Sequence, residues 1–471
     1  MKRLCELIDC PYDTQISNIK SDSREVMPGD LFVAVKGFNV DHADFIPSAI
    51  QNGAVAVVTE REVELDVPVI RVFDVNQAFL EICEKFYHKN DWSFPLIGVT
   101  GTDGKTTTST MITQLLNHFS RCAYFGTNGI EFAGEKYPSA NTTPLTEYLY
   151  SYLDQFHQQD CHYATLEVSS EALLHRRVDG LRFRYAIFTN ISEDHLNYHK
   201  TIENYVASKA KLVTLLEKGG YAILNKDDMH YEEVRAKALE RVITYGVSDD
   251  VDFQIKNVEL FDDHTNFDIV CEQVVYSIHS PFIGLYNAYN LTAAFIVCYL
   301  EGYDVEKVIS FITSLKTVLG RSEFLEFGQD YKIVLDYAHT TNGICNILET
   351  LQRMNHKRII TVIGSAGGRE KEKRSSMGKA TLDYSDFVIF TMDDPRNEKV
   401  SDIIDDLVST SDKKNYIRIE NRTEAIEKAF SMAQAGDIIA ILGKGRDDYM
   451  AVGNEKVSYC DYDVIRKYFE K

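Results

Sequence analysis

The chain is short of basic charge. Its 471 residues carry 50 Lys and Arg against 71 Asp and Glu, a formal net charge of −21. Over most of the surface that balance repels phosphate backbones and anionic headgroups, so neither nucleic acid nor membrane is expected as a partner. An anionic ligand must instead be held by a local group of basic side chains and backbone amides. The nine cysteines include no C-x-x-C pair and are scattered, which points to reduced thiols packed as small apolar groups. No apolar run reaches the roughly 18 residues of a spanning helix. The opening MKRLCELIDCPYD is broken by acids at once, so no secretory signal is expected and the expected location is the cytoplasm. Internal repeats and low-complexity tracts are also absent.

What is present suffices for several cores. A hydrophobic fraction of 44% over this length suggests roughly three domains. Residues 1–92 alternate short strands (DLFVAVKG, AVAVVTE, VPVIRVF) with helical stretches at 44–52 and 75–88, a small α/β unit. From Phe94 the pattern restarts and runs through YATLEVSS, YAIFTNIS and GYAILNKDD, giving a second unit over 93–318. A third, over 319–471, contains YKIVLDYAH, RIITVIGSAGG, DFVIFTMDDPR, YIRIE and DIIAILGKGRDD. Strands alternating with helices predict an α/β chain with mostly parallel, doubly wound sheets whose ligands sit at the carboxyl ends of the strands.

The chemistry gathers at those ends. GVTGTDGKTTTST follows an apolar strand and precedes Met111, Ile112, Leu115, Leu116 and Phe119 at helical spacing. Gly101 and Gly104 admit backbone N–H groups to phosphate oxygens, Lys105 adds a charge, and Thr106 or Thr107 can offer a hydroxyl to Mg²⁺. Yet the usual spacing G-x-x-x-x-G-K-S/T would put a glycine at Val99, and Asp103 stands where phosphate would arrive. Glu167 ends a strand, with Ser169, His175 and Arg177 beyond it. His195 follows another strand; then Ile202, Tyr205, Val206, Lys209 and Val213 share one helical stripe. A lysine on an apolar face either snorkels to water or is a partly neutral amine able to take up CO₂ as a carbamate. Arg321 opens the third unit, where it could reach a phosphoryl group, and Asp336 and His339 sit at a strand end; three further strand-end loops supply Arg369, Arg374, Asp393, Asp394, Arg396, Lys444, Arg446 and Asp447. Mixed acids and bases on one rim suit a zwitterion such as an amino acid.

These residues resemble the Mur ligases, ATP-dependent enzymes of peptidoglycan precursor synthesis, and among them the UDP-N-acetylmuramoyl-tripeptide synthetases. The likeness runs through SDSREVMPGDLFVAVKG, GTDGKTTT, NTTP, EVSS, TNISEDHLNYH with Lys209, GLYNAYNLTAA, DYAHT, GGREKEKR, DDPR and GKGRD. It implies three domains: a UDP-MurNAc-binding first, a central P-loop ATPase, and a Rossmann-like third that takes the amino acid. It further implies that ATP and Mg²⁺ activate the D-Glu carboxylate of UDP-MurNAc-L-Ala-D-Glu as an acyl phosphate, which a diamino acid attacks. The implied ATP site is Gly101, Thr102, Asp103, Gly104, Lys105, Thr106, Thr107, Asn287, Asn290, Arg321, Asp336 and His339. The implied metal set is Thr106, Glu167, His195 and carbamylated Lys209; Lys105, Glu167, His195 and Lys209 are the catalytic group. Ser21, Ser23, Phe38, Asn39 and Val40 would meet the UDP end, and Asn141, Thr142, Thr143, Ser169, His175 and Arg177 the sugar and peptide. The added amino acid would sit among Arg369, Asp393, Asp394, Pro395, Arg396, Gly443 and Asp447, in a monomeric protein.

The chain departs from the family pattern in places. Asp103 and Asp394 replace the usual Asn, GKGRD replaces GKGHE, and DYAHTTN replaces DYAHTPD. Within the family Arg396 goes with meso-diaminopimelate, whose distal carboxylate an arginine pairs. Asp394 adds negative charge there, which keeps lysine or another diamino acid in view. A non-catalytic ATP-binding homologue is the alternative from another class.

Overall fold

The computed structural model describes residues 1–37 and 40–470. Phe38 and Asn39, expected at the UDP end, lie outside the described residues. Three main sheets succeed one another along the chain. The first has four parallel strands, Ile19–Lys20, Leu31–Val33, Ala56–Thr59 and Val69–Arg71. The second has eleven strands, and Leu96–Thr100 lies near its middle, parallel to Tyr163–Glu167 on one side and Phe183–Phe188 on the other. The third has six, in which Lys332–Asp336, Ile438–Leu442, Ile359–Ile363, Phe387–Phe390 and Tyr416–Arg418 run parallel and Glu323–Leu325 runs against them.

Why these residues make parallel sheet is plain from their burial. Every residue of Leu96–Thr100, Tyr163–Glu167, Ile359–Ile363 and Ile438–Leu442 is buried, as continuous apolar runs require when helices cover both faces. On one face of the central sheet lies Lys105–Asn117, whose Met111, Ile112, Leu115 and Leu116 pack with the helix Leu285–Leu300. The latter is apolar nearly all round and is correspondingly enclosed. The opposite face is covered by Thr146–Gln158 and Ile202–Thr214 and is continuous with the core of the first unit.

One region differs from the sequence reading, which placed no elements between 226 and 284. There the central sheet continues through Arg241–Gly246, Phe253–Leu260, Thr265–Cys271 and Val274–Ser280, the last two antiparallel. Thr265–Cys271 alternates buried and half-buried residues, the period-two signature of a strand with one wet face. Among the described residues no helix is long and apolar enough to cross a membrane, and the nine cysteines are free thiols.

The register sets up the site. Glu167 pairs with Val99 and Phe188 with Thr100, so the strand ends at 100, 167 and 188 lie abreast. Chain direction reverses its crossover sense here, the position at which doubly wound sheets bind ligands.

Candidate active site

Val99 is a fully buried sheet residue opposite Glu167, so the phosphate loop begins only at Thr100. Its short form needs two glycines. At Gly101 φ is +151° and an added Cβ would lie 1.9 Å from Thr189 Oγ1; at Gly104 φ is +83° and a Cβ would meet Asn290 Oδ1 at 2.6 Å. The loop is held from the neighbouring strand end. Thr102 N donates to the Asn190 carbonyl at 2.7 Å, Asp103 N to Asn190 Oδ1 at 3.0 Å, and the Asp103 carbonyl accepts from Thr189 Oγ1 at 2.6 Å and Asn190 Nδ2 at 3.1 Å. Lys105 Nζ donates to the carbonyls of Gly101 and Thr102 at 2.9 and 2.8 Å. Thr107 is buried beside it in the first turn.

Glu167 is buried and fully engaged. One oxygen accepts from Tyr124 OH at 2.5 Å and Thr127 N at 3.0 Å, the other from Thr106 Oγ1 at 2.9 Å and Thr127 Oγ1 at 3.2 Å. Lys209, 1% exposed, reaches the same Gly101 carbonyl at 2.6 Å and faces the Tyr205 ring, 4.6 Å from its centroid. Burial, reinforced by the Lys105 charge, holds its amine well below the ordinary lysine range, so the neutral form is accessible. His195 stands at φ +57°; burial and the Arg369, Lys209 and Lys105 charges outweigh Asp194 and push it down to about 3. Its Nδ1 is enclosed without a hydrogen-bond partner, as fits a neutral ring able to ligate a metal. Among the described residues no three His, Cys, Asp or Glu side chains form a ready metal cluster; the implied set, Thr106, Glu167, His195 and a modified Lys209, contains two of those types.

The third unit supplies the opposite wall. Arg321 Nη2 donates to Thr106 Oγ1 at 3.1 Å. Asp336 accepts from Ser322 N at 2.5 Å and Ala338 N at 2.7 Å; burial, against the Arg321 charge, raises its carboxyl. His339 Nδ1 lies 2.9 Å from the Tyr337 carbonyl and Nε2 lies 3.9 Å from Asp194. Asp194 itself takes Lys373 Nζ at 2.7 Å. Lys444, 1% exposed, lies 2.8 Å from Asp394, 3.6 Å from Asp447 and 3.8 Å from Asp393. The charge added by Asp394 is thus answered by Lys444 and by Ala451 N, which donates to it at 3.0 Å. Arg396 donates to the Gly367 carbonyl at 2.7 Å, and the Pro395 carbonyl would be 1.9 Å from a Cβ on Gly367. Gly443, at φ +111°, leaves room for Asp393 in the same way.

Two rim residues are corrected. Arg374 is wholly buried between Glu398 and Asp406, and Arg446 is paired with Glu323 and stacked on Tyr462; both are committed to the fold. Asn287 and Asn290 are buried under the loop: Asn290 accepts from Thr108 Oγ1 at 3.1 Å and donates to Asn287 Oδ1 at 3.1 Å. On the far side Thr143 Oγ1 donates to the Glu167 carbonyl at 2.8 Å and accepts from Ser169 N at 3.0 Å, while Arg177 donates to the Thr143 carbonyl at 3.1 Å. Thr142 lies 3.1 Å from Thr127, and the Asn141 carbonyl takes Ser139 at 2.6 Å. His175 is half-buried nearby. Ser21 is buried and donates to Glu147 Oε1 at 2.5 Å, Ser23 is buried beside it, and Val40 is exposed.

A cavity of about 330 Å³ joins these parts. It is lined by Lys105, Thr106, Glu167, Ser169, Arg177, His195 and Lys209 from the centre and Arg369, Asp393, Arg396, Gly443 and Asp447 from the third unit. A second, of about 560 Å³, holds Gly104, Thr107, Asn287, Asn290, Arg321 and Asp336. Sequence reasoning did not single out Tyr124, Thr127, Asn190, Asp194 and Lys373. The last three lie inside motifs already noted; Tyr124 and Thr127 carry no pattern of their own.

Comparison with known proteins fits this geometry. The Mur ligase family catalytic domain matches residues 15–87, the Mur ligase middle domain 99–298 and the Mur ligase glutamate ligase domain 320–445. The UDP-N-acetylmuramoyl-L-alanyl-D-glutamate--2,6-diaminopimelate ligase of Geobacillus thermodenitrificans is 35% identical over 95% of this chain and 94% of its own; the Bacillus velezensis enzyme of that name is 36% identical over 96% and 94%. The chain belongs to the Mur ligase family. It has the three-domain Mur ligase architecture, in an ATP-dependent, amide-bond-forming family that acts on small molecules. A solved ligase of the same name superimposes with a TM-score of 0.70 at 30% identity, covering 100% of this chain and 99% of that one. The Thermotoga maritima MurF ligase in complex with ADP, with a TM-score of 0.70, 21% identity and 97% coverage of each chain, shares the Mur ligase fold.

Proposed function

We propose that this Mur ligase joins a diamino acid, meso-diaminopimelate by preference, to the D-Glu of UDP-MurNAc-L-Ala-D-Glu in cytoplasmic peptidoglycan precursor synthesis. In this reading residues 1–92 bind the UDP end, 93–318 the ATP, and 319–471 the amino acid. The observation that carries it is the joint cavity: a phosphate loop and the buried Lys209 on one wall, and a paired acid–base rim with Arg396 on the other.

The side chains suit two steps. The D-Glu carboxylate takes the γ-phosphoryl group of ATP, releasing ADP; the amino acid's amine then attacks the acyl phosphate carbon, the C–O bond to phosphate breaks, and the departing phosphate takes up the amine proton. Lys105 and Arg321, both at Thr106 or its loop, would offset charge on the transferring group. Ser169 and Arg177 would orient the carboxylate. Thr106, Glu167, the unpartnered Nδ1 of His195 and a carbamate on Lys209 form a donor set of the kind Mg²⁺ accepts; bound there, the ion would supply charge stabilisation for phosphoryl transfer. Arg396 offers a planar fork to a distal carboxylate, and Asp447 an acid to the ammonium beside it. Because Asp394 is neutralised by Lys444, it does not cancel Arg396.

The test is a ligation assay with ATP, Mg²⁺, UDP-MurNAc-L-Ala-D-Glu and a panel of diamino acids, following phosphate and product. Ligation with diaminopimelate in preference to lysine is expected. Preference for lysine would refute the substrate choice alone, and no turnover with any amino acid would refute the ligase reading.

A further inference from the structure

Asp103 is an acid in a loop shaped for phosphate, and its surroundings give it a use. Its backbone is clamped within the central unit: the N–H donates to Asn190 Oδ1 at 3.0 Å, and the carbonyl accepts from Thr189 and Asn190. The side chain leaves that frame. Both of its oxygens lie 3.2 Å from the Thr340 hydroxyl, and Oδ2 lies 3.5 Å from the Asn342 amide nitrogen. These partners belong to the third unit, at the first turn of the helix Thr341–Arg353, which Thr340 caps by accepting from Gly343 N at 2.9 Å. A Cβ on Gly343 would stand 2.9 Å from Thr340 Oγ1, so the glycine leaves space for the hydroxyl that meets the carboxylate. Asp103, Asn342 and Gly343 all line the cavity that contains Asn290 and Asp336.

We propose that Asp103 and Asn342 are positioning residues that latch the third unit over bound nucleotide. This rests on the reading of the loop as an ATP site. A carboxylate beside phosphates repels them unless its charge is answered, and a helix N-terminus with a hydroxyl and an amide donor answers it. When the third unit is docked, the Thr340 hydroxyl and the Asn342 amide face the Asp103 carboxylate; when it is undocked, the acid opposes the phosphates unanswered. ATP therefore binds the docked arrangement better than the open one, and that difference in affinity drives closure.

Four proteins test it: the parent, Asp103→Asn, Asn342→Asp, and the double exchange. Each is measured for ligase kcat and ATP KM, and by small-angle X-ray scattering with and without a non-hydrolysable ATP analogue. Asn342→Asp sets two carboxylates face to face, so kcat should fall about tenfold and the analogue should no longer compact the protein. Adding Asp103→Asn should restore both to within about twofold. A double exchange no better than Asn342→Asp, or a parent whose compaction survives Asn342→Asp, overturns the latch. A parent that compacts with the analogue, loses that compaction in Asn342→Asp and regains it in the double exchange, but makes no amide, overturns the ligase reading and supports the latch.

Discussion

Asp447 is an acid held partly in reserve. Burial, with Asp393 and Asp394 close by, raises its carboxyl to about 6 in spite of Lys444 and Arg321. If it holds the amino acid's ammonium, it does so ionised. As pH falls below about 6 the ionised fraction drops up to tenfold per unit, so KM for the diamino acid should climb while kcat at saturation changes less. Asp447→Asn should have a high KM with no such slope; a parent KM flat between pH 5 and 7 would refute the assignment. Lys209 permits a second test. Lys209→Ala should lose most ligase activity, and added formate or acetate should return part of it by standing where the carbamate would. Full activity in that variant would dispose of the carbamate. At this scale the sequence was readable where a residue is out of place, as a lysine on an apolar stripe or an acid in a phosphate loop. It was silent where ordinary residues serve: nothing about Tyr124 or Thr127 announces that they hold Glu167, because only strand pairing brings them there.

The phosphate loop is an element whose shape is imposed by its neighbours. Gly101→Ala would drive a methyl group into Thr189 Oγ1 at a φ that L-residues avoid, a local cost of roughly 2–4 kcal/mol. The expected outcome is loss of ATP binding by calorimetry with the circular dichroism of a folded protein retained; unimpaired binding would show that the loop does not need this turn. Elements with a strong period were legible, including the helix after the loop and the strands that precede each polar turn. The stretch 241–280 was not, since its antiparallel strands are half wet and mix charge with Phe and Ile. Val99, the apparent defect of the motif, is a sheet residue whose neighbour across the ladder is Glu167.

Over the whole molecule, a buried acid joins the first unit to the second. Glu147 accepts from Ser21 N and Oγ, its other oxygen has no partner, and burial raises its carboxyl above the usual range. A raised folded pKa favours the protonated fold: the stability is present below about pH 4 and is lost as pH rises through the folded value. At pH 7 the ionised form is therefore a burden. Glu147→Gln keeps the acceptor without the charge and should stabilise the protein at pH 7 by about 1 kcal/mol, with the gain vanishing near pH 4. Thermal melts at the two pH values check this; destabilisation at pH 7 would mean the charge itself is wanted. The three-sheet plan was legible because each unit restarts the same strand and helix rhythm. How the units face one another was not, because contacts such as Asp194 with Lys373 span distances along the chain that no local pattern encodes.

The strand Leu96–Thr100 is flanked by Tyr163–Glu167 and Phe183–Phe188, and this has a consequence in time. A chain emerging from the ribosome presents the phosphate loop long before Thr189 and Asn190 exist to brace it. The phosphate loop is braced only after residue 190 has been made, and the third-unit rim of the joint cavity is complete only after Asp447 and Tyr449. Synthesis thus completes the loop's wall of that cavity first and the opposite wall last, and a chain stopped between the two has a loop with nothing facing it.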